Sequence, residues 1–225
     1  LWRHDIDYSI NRALKVAELE ASLGMRSTYF VNPHSEFYNL QEKSQCALLS
    51  RILNLGHDMG LHFEASFYDP LEESQVDEVI GRESGALKGL VGTNPVAVSF
   101  HNPTERHLSW RAPSYGGLVN AYGSLLTERV SYVSDSNGYW RFRRLADVLD
   151  EAREQYLQVL THPGWWQDRP MPARGRIFRA VYGRAASTMR LYDRTLESFG
   201  RENLSGMPSA LHQLTTICKS KSEII

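Results

Sequence analysis

Segments with strand character alternate with segments of helical periodicity along most of this chain, and that alternation restricts the possible folds more than any other feature. After a short apolar lead-in, Arg3-His4-Asp5-Ile6-Asp7 reads as the end of a strand. Ser9 can cap a helix whose positions Ile10, Leu14, Ala17 and Ala21 recur at helical spacing, and Gly24 suits its stop. Residues 27–31 read as a strand ended by Asn32-Pro33. A helical run over about 40–55, then Gly56, then an alternating strand over 57–63 repeat the unit. Further strands are expected at 96–100, 130–133 and 157–160, with helices at about 70–90, 118–126, 145–156 and 173–199. Alternation of this kind argues for parallel βα units. No Gly-rich dinucleotide fingerprint follows the first strand, and no P-loop occurs, so an open nucleotide-binding sheet fits less well than a barrel. The expected fold is α/β, a distorted or incomplete (β/α) barrel of roughly six to seven parallel strands in a single domain. It covers residues 1–207; the pattern is lost from Pro208, and 208–225 reads as a tail. The sequence begins inside an apparent strand and without Met, so residues upstream of Leu1 are expected.

Composition narrows the classes of function. A hydrophobic content of 42% and an aromatic content of 11% supply a core, and a net charge of -1 gives no global attraction to nucleic acid or to a membrane. No run is long enough for a transmembrane helix and no signal peptide is visible. The two cysteines, Cys46 and Cys218, lie far apart, which suits a reducing compartment and a cytoplasmic location better than a disulfide scaffold.

Chemistry collects at the expected strand ends, which is where barrels of this class place functional residues. Residues i and i+2 of a strand share a face, so Asp5 and Asp7 project together with Arg3 behind them. Two carboxylates that close are costly unless a cation or a shared proton relieves them. His62, His101 and His162 each end a later strand, and Gly60, Ser99 and Ala97 leave room behind the first two. An Asp with two His and an open position makes a plausible catalytic site for zinc or another divalent metal. The plainer reading, a hydrogen-bonded structural histidine, is kept for His34, His57, His107 and His212, and for His4, which shares a face with Trp2 and Ile6.

Five motifs in this order, RHDID before an amphipathic helix, GHDMGLHFE, SFHNPT, SDSNGYW and LTHPGWW, resemble the polysaccharide deacetylase superfamily, whose members share the chitooligosaccharide deacetylase homology domain. The likeness runs from Leu1 to about Phe199 and is nearest to the divergent bacterial branch associated with O-antigen and other surface-glycan biosynthesis. It implies a distorted barrel, a divalent metal, usually zinc, and hydrolysis of N- or O-acetyl groups on sugars. Carried over by position, Asp5 is the general base and Asp7 the metal carboxylate, although Ile6 separates two residues that are usually adjacent, and the roles could be exchanged. His62 matches the first metal histidine. The second is expected four residues on, where this chain has Ser66; His101 could replace it, and Glu64 is a poorer substitute. His162 matches the general acid. Asp135 and Trp140 resemble the motif that orients that acid and walls the pocket. Arg111, in Arg111-Ala112-Pro113, resembles the arginine that tunes the base, and Arg3 could also serve. Tyr139, Trp140, Trp165 and Trp166 could stack on sugar rings or pack in the core.

Basic residues are lopsided, with 20 Arg against 5 Lys, and seven Arg but two acids lie between Asp168 and Arg194. A solvated helix face paired to the acidic 70–83 segment is the plainer account; phosphate recognition on a nucleotide- or lipid-linked sugar is the sharper one. The leading expectation is a metal-dependent deacetylase of a surface-glycan precursor. Its rivals are a catalytically lapsed glycan-binding relative and a metal hydrolase acting on amides outside sugars.

Overall fold

The computed structural model describes residues 1–140 and 142–203. Eight strands form one sheet: β1 (Trp2–Ile6), β2 (Thr28–Val31), β3 (Asp58–Phe63), β4 (Ala97–Phe100), β5 (Ser114–Tyr115), β6 (Leu118–Asn120), β7 (Ser131–Ser134) and β8 (Leu157–Thr161). Between them run helices α1 (Ile10–Ser22), α2 (Lys43–Asn54), α3 (Glu73–Val91), α4 (Glu105–Leu108), α5 (Ser124–Arg129) and α6 (Leu145–Glu151). These elements make one compact unit, Leu1–Pro170, and α7 (Ala173–Ser198) belongs to a second unit that starts at Met171.

The strand order is β5-β6-β4-β3-β2-β1-β8-β7. Every neighbouring pair is parallel except β5 with β6. The sheet is strongly curled. In a flat sheet, five spacings of about 4.8 Å would hold β6 and β8 roughly 24 Å apart. Instead Gln158 of β8 donates to the carbonyl of Ala121, just past β6, at 3.5 Å. Ser99 of β4 likewise reaches Asp5 of β1 at 3.0 Å across two intervening strands. The order still ends at β5 on one side and β7 on the other, so the barrel is incomplete, as its sequence suggests.

Side-chain alternation along the strands separates lumen from core. On β1, Arg3 and Asp5 enter the lumen, while Ile6 joins the core cluster with Ile10, Ala13 and Leu14 of α1. Ser9 caps α1, accepting from Arg12 N–H at 3.3 Å. Each large apolar side chain fully buried this way contributes about 1.5–3 kcal/mol. His4 also faces the helices, and its ring bridges Glu20 Oε1 (2.7 Å) and Thr161 Oγ1 (2.6 Å). His57 lies under α1: its Nδ1 accepts from Ser27 N–H (3.2 Å), which leaves Nε2–H to donate to the Ala17 carbonyl (2.9 Å). His34 bonds Glu83 at 2.7 Å, and His107 Nδ1 accepts from Thr104 N–H at the start of α4. All four histidines thus have the structural partners expected of them; His212 and the 208–225 tail lie outside the described residues.

Two stretches differ from expectation. Residues 118–126 are not one helix: β6 occupies Leu118–Asn120 and α5 begins at Ser124. The alternation there is that of a strand, with Leu118 and Asn120 buried and Val119 exposed. Asn120 is fixed by bonds from its Nδ2 to the Trp110 and Ala112 carbonyls, both 3.0 Å. The β5–β6 hairpin turns on Gly116 and Gly117, whose φ values of 56° and 78° need glycine. The helix expected to reach residue 156 stops at Glu151, where Ala152 takes a left-handed φ of 47°.

Candidate metal centre

The carboxyl ends of β1, β3, β4 and β8 converge on one cluster. Asp7 follows β1, His62 lies near the end of β3, His101 follows β4 and His162 follows β8. One ligand atom each from Asp7, His62 and His101 falls within 4.8 Å of the other two. His62 Nε2 stands 3.3 Å from Asp7 Oδ1, and the His62 and His101 rings meet edge to face at 5.0 Å. Asp7 Oδ1, Asp5 Oδ1 and His62 Nδ1 are buried without a hydrogen-bond partner. Buried polar atoms left unbonded are expensive, and a cation held by the cluster would satisfy that of Asp7. One carboxylate and two imidazoles are donors suited to zinc and to similar divalent ions. The residues present therefore fit a divalent cation.

Asp5 sits beneath this cluster, 2% exposed. Ser99 donates to its Oδ2 at 3.0 Å, and His62 Nδ1 lies 3.7 Å from the same oxygen. Arg3 approaches Asp5 Oδ2 to 3.8 Å. That guanidinium is itself held between the rings of Tyr122 (4.9 Å) and Phe30 (5.5 Å), and it donates to Tyr122 Oη at 3.0 Å. Gly60 makes this arrangement possible, because a Cβ at that position would collide with the Phe30 ring. Burial works against a charged Asp5, but Arg3, His62, His162 and the Ser99 bond outweigh it and hold the carboxyl below its ordinary value.

His162 stands on the opposite wall, its Nε2 3.9 Å from Asp7 Oδ2. Its Nδ1 bonds Asp135 Oδ1 at 2.7 Å, and its backbone N–H donates to the same oxygen at 2.9 Å. Trp166 Nε1 donates to Asp135 Oδ2 at 3.0 Å, so both carboxylate oxygens are fixed. Burial opposes the imidazolium; the bond to Asp135 and the charges of Asp7 and Asp5 overcome it and raise His162 to about 9. Gly164, two residues on, is packed so closely under Tyr8 that a Cβ would overlap the ring.

His101 depends on its neighbours. Ser66 Oγ donates to Glu64 Oε1 at 2.5 Å, and Glu64 Oε2 bonds His101 Nδ1 and accepts from Asn32 Nδ2 (3.4 Å). Burial raises the Glu64 carboxyl, but the bonds from His101 and Ser66 prevail and bring it to about 2. Ser66 itself is exposed.

The structure thus brings together Asp5, Asp7, His62, His101, Asp135 and His162. It does not bring Arg111 to them: that residue is exposed, and Arg3 occupies the place beside Asp5. Among the aromatics, Trp140 packs against Val133, Leu145, Val148 and Val159. Trp165 is half-buried, with its ring edge-on to Tyr8 at 5.2 Å. Trp166 and Tyr139 are 40% and 54% exposed. Sequence reasoning missed the Ser99 bond to Asp5, visible there only as a small residue, and the Tyr122 clamp on Arg3, for which the sequence carries no signal.

No family model matches the chain, and no curated protein sequence does. Solved structures do. One is a family 4 acetyl xylan esterase from Clostridium thermocellum in complex with a cobalt ion, at 16% identity, covering 96% of this chain and 89% of that one, with a TM-score of 0.45. Another is a mutant of a CE4 family pseudoenzyme with restored enzymatic activity, at 8% identity, covering 83% of this chain and 62% of that one, with a TM-score of 0.44.

Proposed function

We propose that this chain is a metal-dependent hydrolase that removes acetyl groups from an amino sugar or glycan precursor. The observation that carries the reading is the facing of a two-histidine, one-carboxylate cluster by an Asp135-bound histidine, His162 Nε2 standing 3.9 Å from Asp7 Oδ2. Asp7, His62 and His101 would hold the cation, zinc being an ion suited to such donors. When bound, the ion polarises the substrate carbonyl and makes a water more acidic. Asp5 accepts the proton of that water, and Arg3 and Ser99 keep its carboxylate ionised and aimed. His162 carries its proton on Nε2, because Nδ1 is committed to Asp135, and delivers it to the departing amine or alcohol. Of the four candidate aromatics, Trp166 and Tyr139 are the exposed pair, which supports a role in stacking on a sugar ring. The product belongs to surface-polysaccharide assembly, and a nucleotide- or lipid-pyrophosphate-linked form of the sugar is the phosphate-bearing substrate to include in the assay.

A second reading, a lapsed relative that binds glycan without hydrolysing it, is favoured by Ser66, which stands where the resemblance expects a metal histidine. Elemental analysis of the purified protein separates the two, followed by acetate release from a panel of acetylated amino sugars. Stoichiometric divalent metal, lost in His62→Ala and in His101→Ala, with acetate release that tracks the metal, is expected. Protein without stoichiometric zinc, cobalt, nickel or manganese, and indifferent to both substitutions, overturns the enzyme reading. Metal with hydrolysis of non-sugar amides alone overturns the substrate class.

A further inference from the structure

Helix α7 runs for 26 residues with no side chain buried, and it carries a seam that nothing in the proposed reaction uses. Phe178, Tyr182, Ala185, Met189, Tyr192 and Leu196 follow one another at alternating steps of four and three. That is the 3.5-residue repeat of a two-helix seam, narrower than the apolar stripe of a helix laid on a sheet. Arg176, Arg190 and Arg194 fall on the opposite face. Phe178 is 45% exposed and Tyr192 54%. A helix of this kind in water owes most of its stability to packing of its apolar face, and Gly175 and Gly183 lower its intrinsic propensity further.

We propose that α7 is a self-association helix that pairs antiparallel with α7 of a second copy of this chain. The seam is complementary to its own reversal. Centred on Ser187, a twofold axis sets Phe178 against the partner's Leu196, Tyr182 against the partner's Tyr192, and Ala185 against the partner's Met189. Small meets large in the central layer, as close packing of two helices requires. Charge selects the direction. Antiparallel pairing brings Arg179 to the partner's Asp193, twice by symmetry, on the flank of the seam. Parallel pairing would instead set Arg174 against the partner's Arg179, a like-charge contact. This pairing stands apart from the reaction proposed above and does not depend on it.

Sedimentation velocity on the full chain over a micromolar concentration series tests the pairing. A dimer is expected. The double variant Met189→Arg with Leu196→Arg places charges in the seam and raises the dissociation constant by at least about tenfold. Arg179→Asp and Asp193→Arg each weaken the dimer, and the two together recover it to within about threefold of the unmodified chain. None of these positions belongs to the candidate metal centre, so unchanged metal content accompanies the loss. A wild-type chain that stays monomeric at 100 µM would mean that another occupant covers the face, such as residues 204–225 or a lipid surface, and overturns the proposal. So does a dimer indifferent to the double arginine variant, or a charge exchange that fails to recover association.

Discussion

Asp135→Asn isolates the group that holds His162 in its charged form and, on the proposed reading, makes it an acid. The substitution keeps the shape of the side chain and the acceptor needed by the His162 N–H, but it removes the charge that Nδ1 faces at 2.7 Å. Part of the push that raises His162 to about 9 comes from Asp7 and Asp5, and a bound cation would offset that part. The Asp135 contribution does not share this dependence, because its two oxygens face His162 and Trp166. A hydrogen bond to a charged group is worth about 1.5–3 kcal/mol, which at 1.36 kcal/mol per pH unit is a fall of about one to two pH units. NMR titration of the His162 imidazole, in metal-free and metal-loaded protein, reads this directly. The wild-type resonance should titrate well above 6.5 in metal-free protein, and in the variant it should move down by that amount. For a reaction that needs protonated His162, the basic limb of the pH–rate profile shifts to lower pH with it. Linkage gives a third readout. A pKa raised on folding adds stability that is complete below the unfolded value of 6.5 and is lost as pH rises through about 9, so the variant's stability deficit should shrink over that window. A wild-type His162 that titrates at its ordinary value, or a variant that leaves the titration unmoved, refutes the assignment of Asp135.

Glu64→Gln loosens the support of His101 and should weaken zinc or cobalt affinity about 10–100-fold in competition titrations, with Ser66→Ala having a smaller effect in the same direction; unaltered affinity would remove His101 from the ligand set or Glu64 from its support. Gly164→Ala forces the added methyl into the Tyr8 ring and should cost about 1–3 kcal/mol in denaturant unfolding, whereas Gly85→Ala, with open space around it on α3, should not destabilise at all. Glu20, bonded to His4 and Tyr29 and close to His57, has its carboxyl held below 4.5 despite burial. Its contribution is present above 4.5 and lost as pH falls through the lower folded value, so the stability gap between wild type and Glu20→Gln should be widest near neutrality and close on acidification.

The sequence disclosed most of what the barrel's repeating unit dictates. Period-2 strands and period-3.6 helices report which face is buried, so the parallel order and the lumen positions of Asp5, Asp7, His62, His101 and His162 could all be read from spacing. The β5–β6 hairpin could not, because Val119 and Asn120 are fixed by pairing with β4, and Asn120 also by the Trp110 and Ala112 carbonyls, rather than by local propensity. Arg111 shows the same limit in the site. A short motif was compatible with it, yet the side chain that reaches Asp5 is Arg3, two residues away on the same strand, held by Tyr122 from the far side of the curled sheet. Contacts across the lumen leave no periodic trace.

Ser66 carries the same point further. In isolation it marks a lost metal ligand. In the fold it supports Glu64, Glu64 supports His101, and His101 stands with Asp7 and His62. On the proposed reading, the third ligand therefore rests on a chain of three residues from two strand ends, Ser66, Glu64 and His101. Introducing a histidine at position 66 should accordingly lower metal affinity instead of raising it, since it removes the hydroxyl that bonds Glu64 while His101 keeps its place. A Ser66→His variant that binds metal more tightly, with His101→Ala then silent, would show that the site retains the other ligand arrangement and that His101 is a bystander.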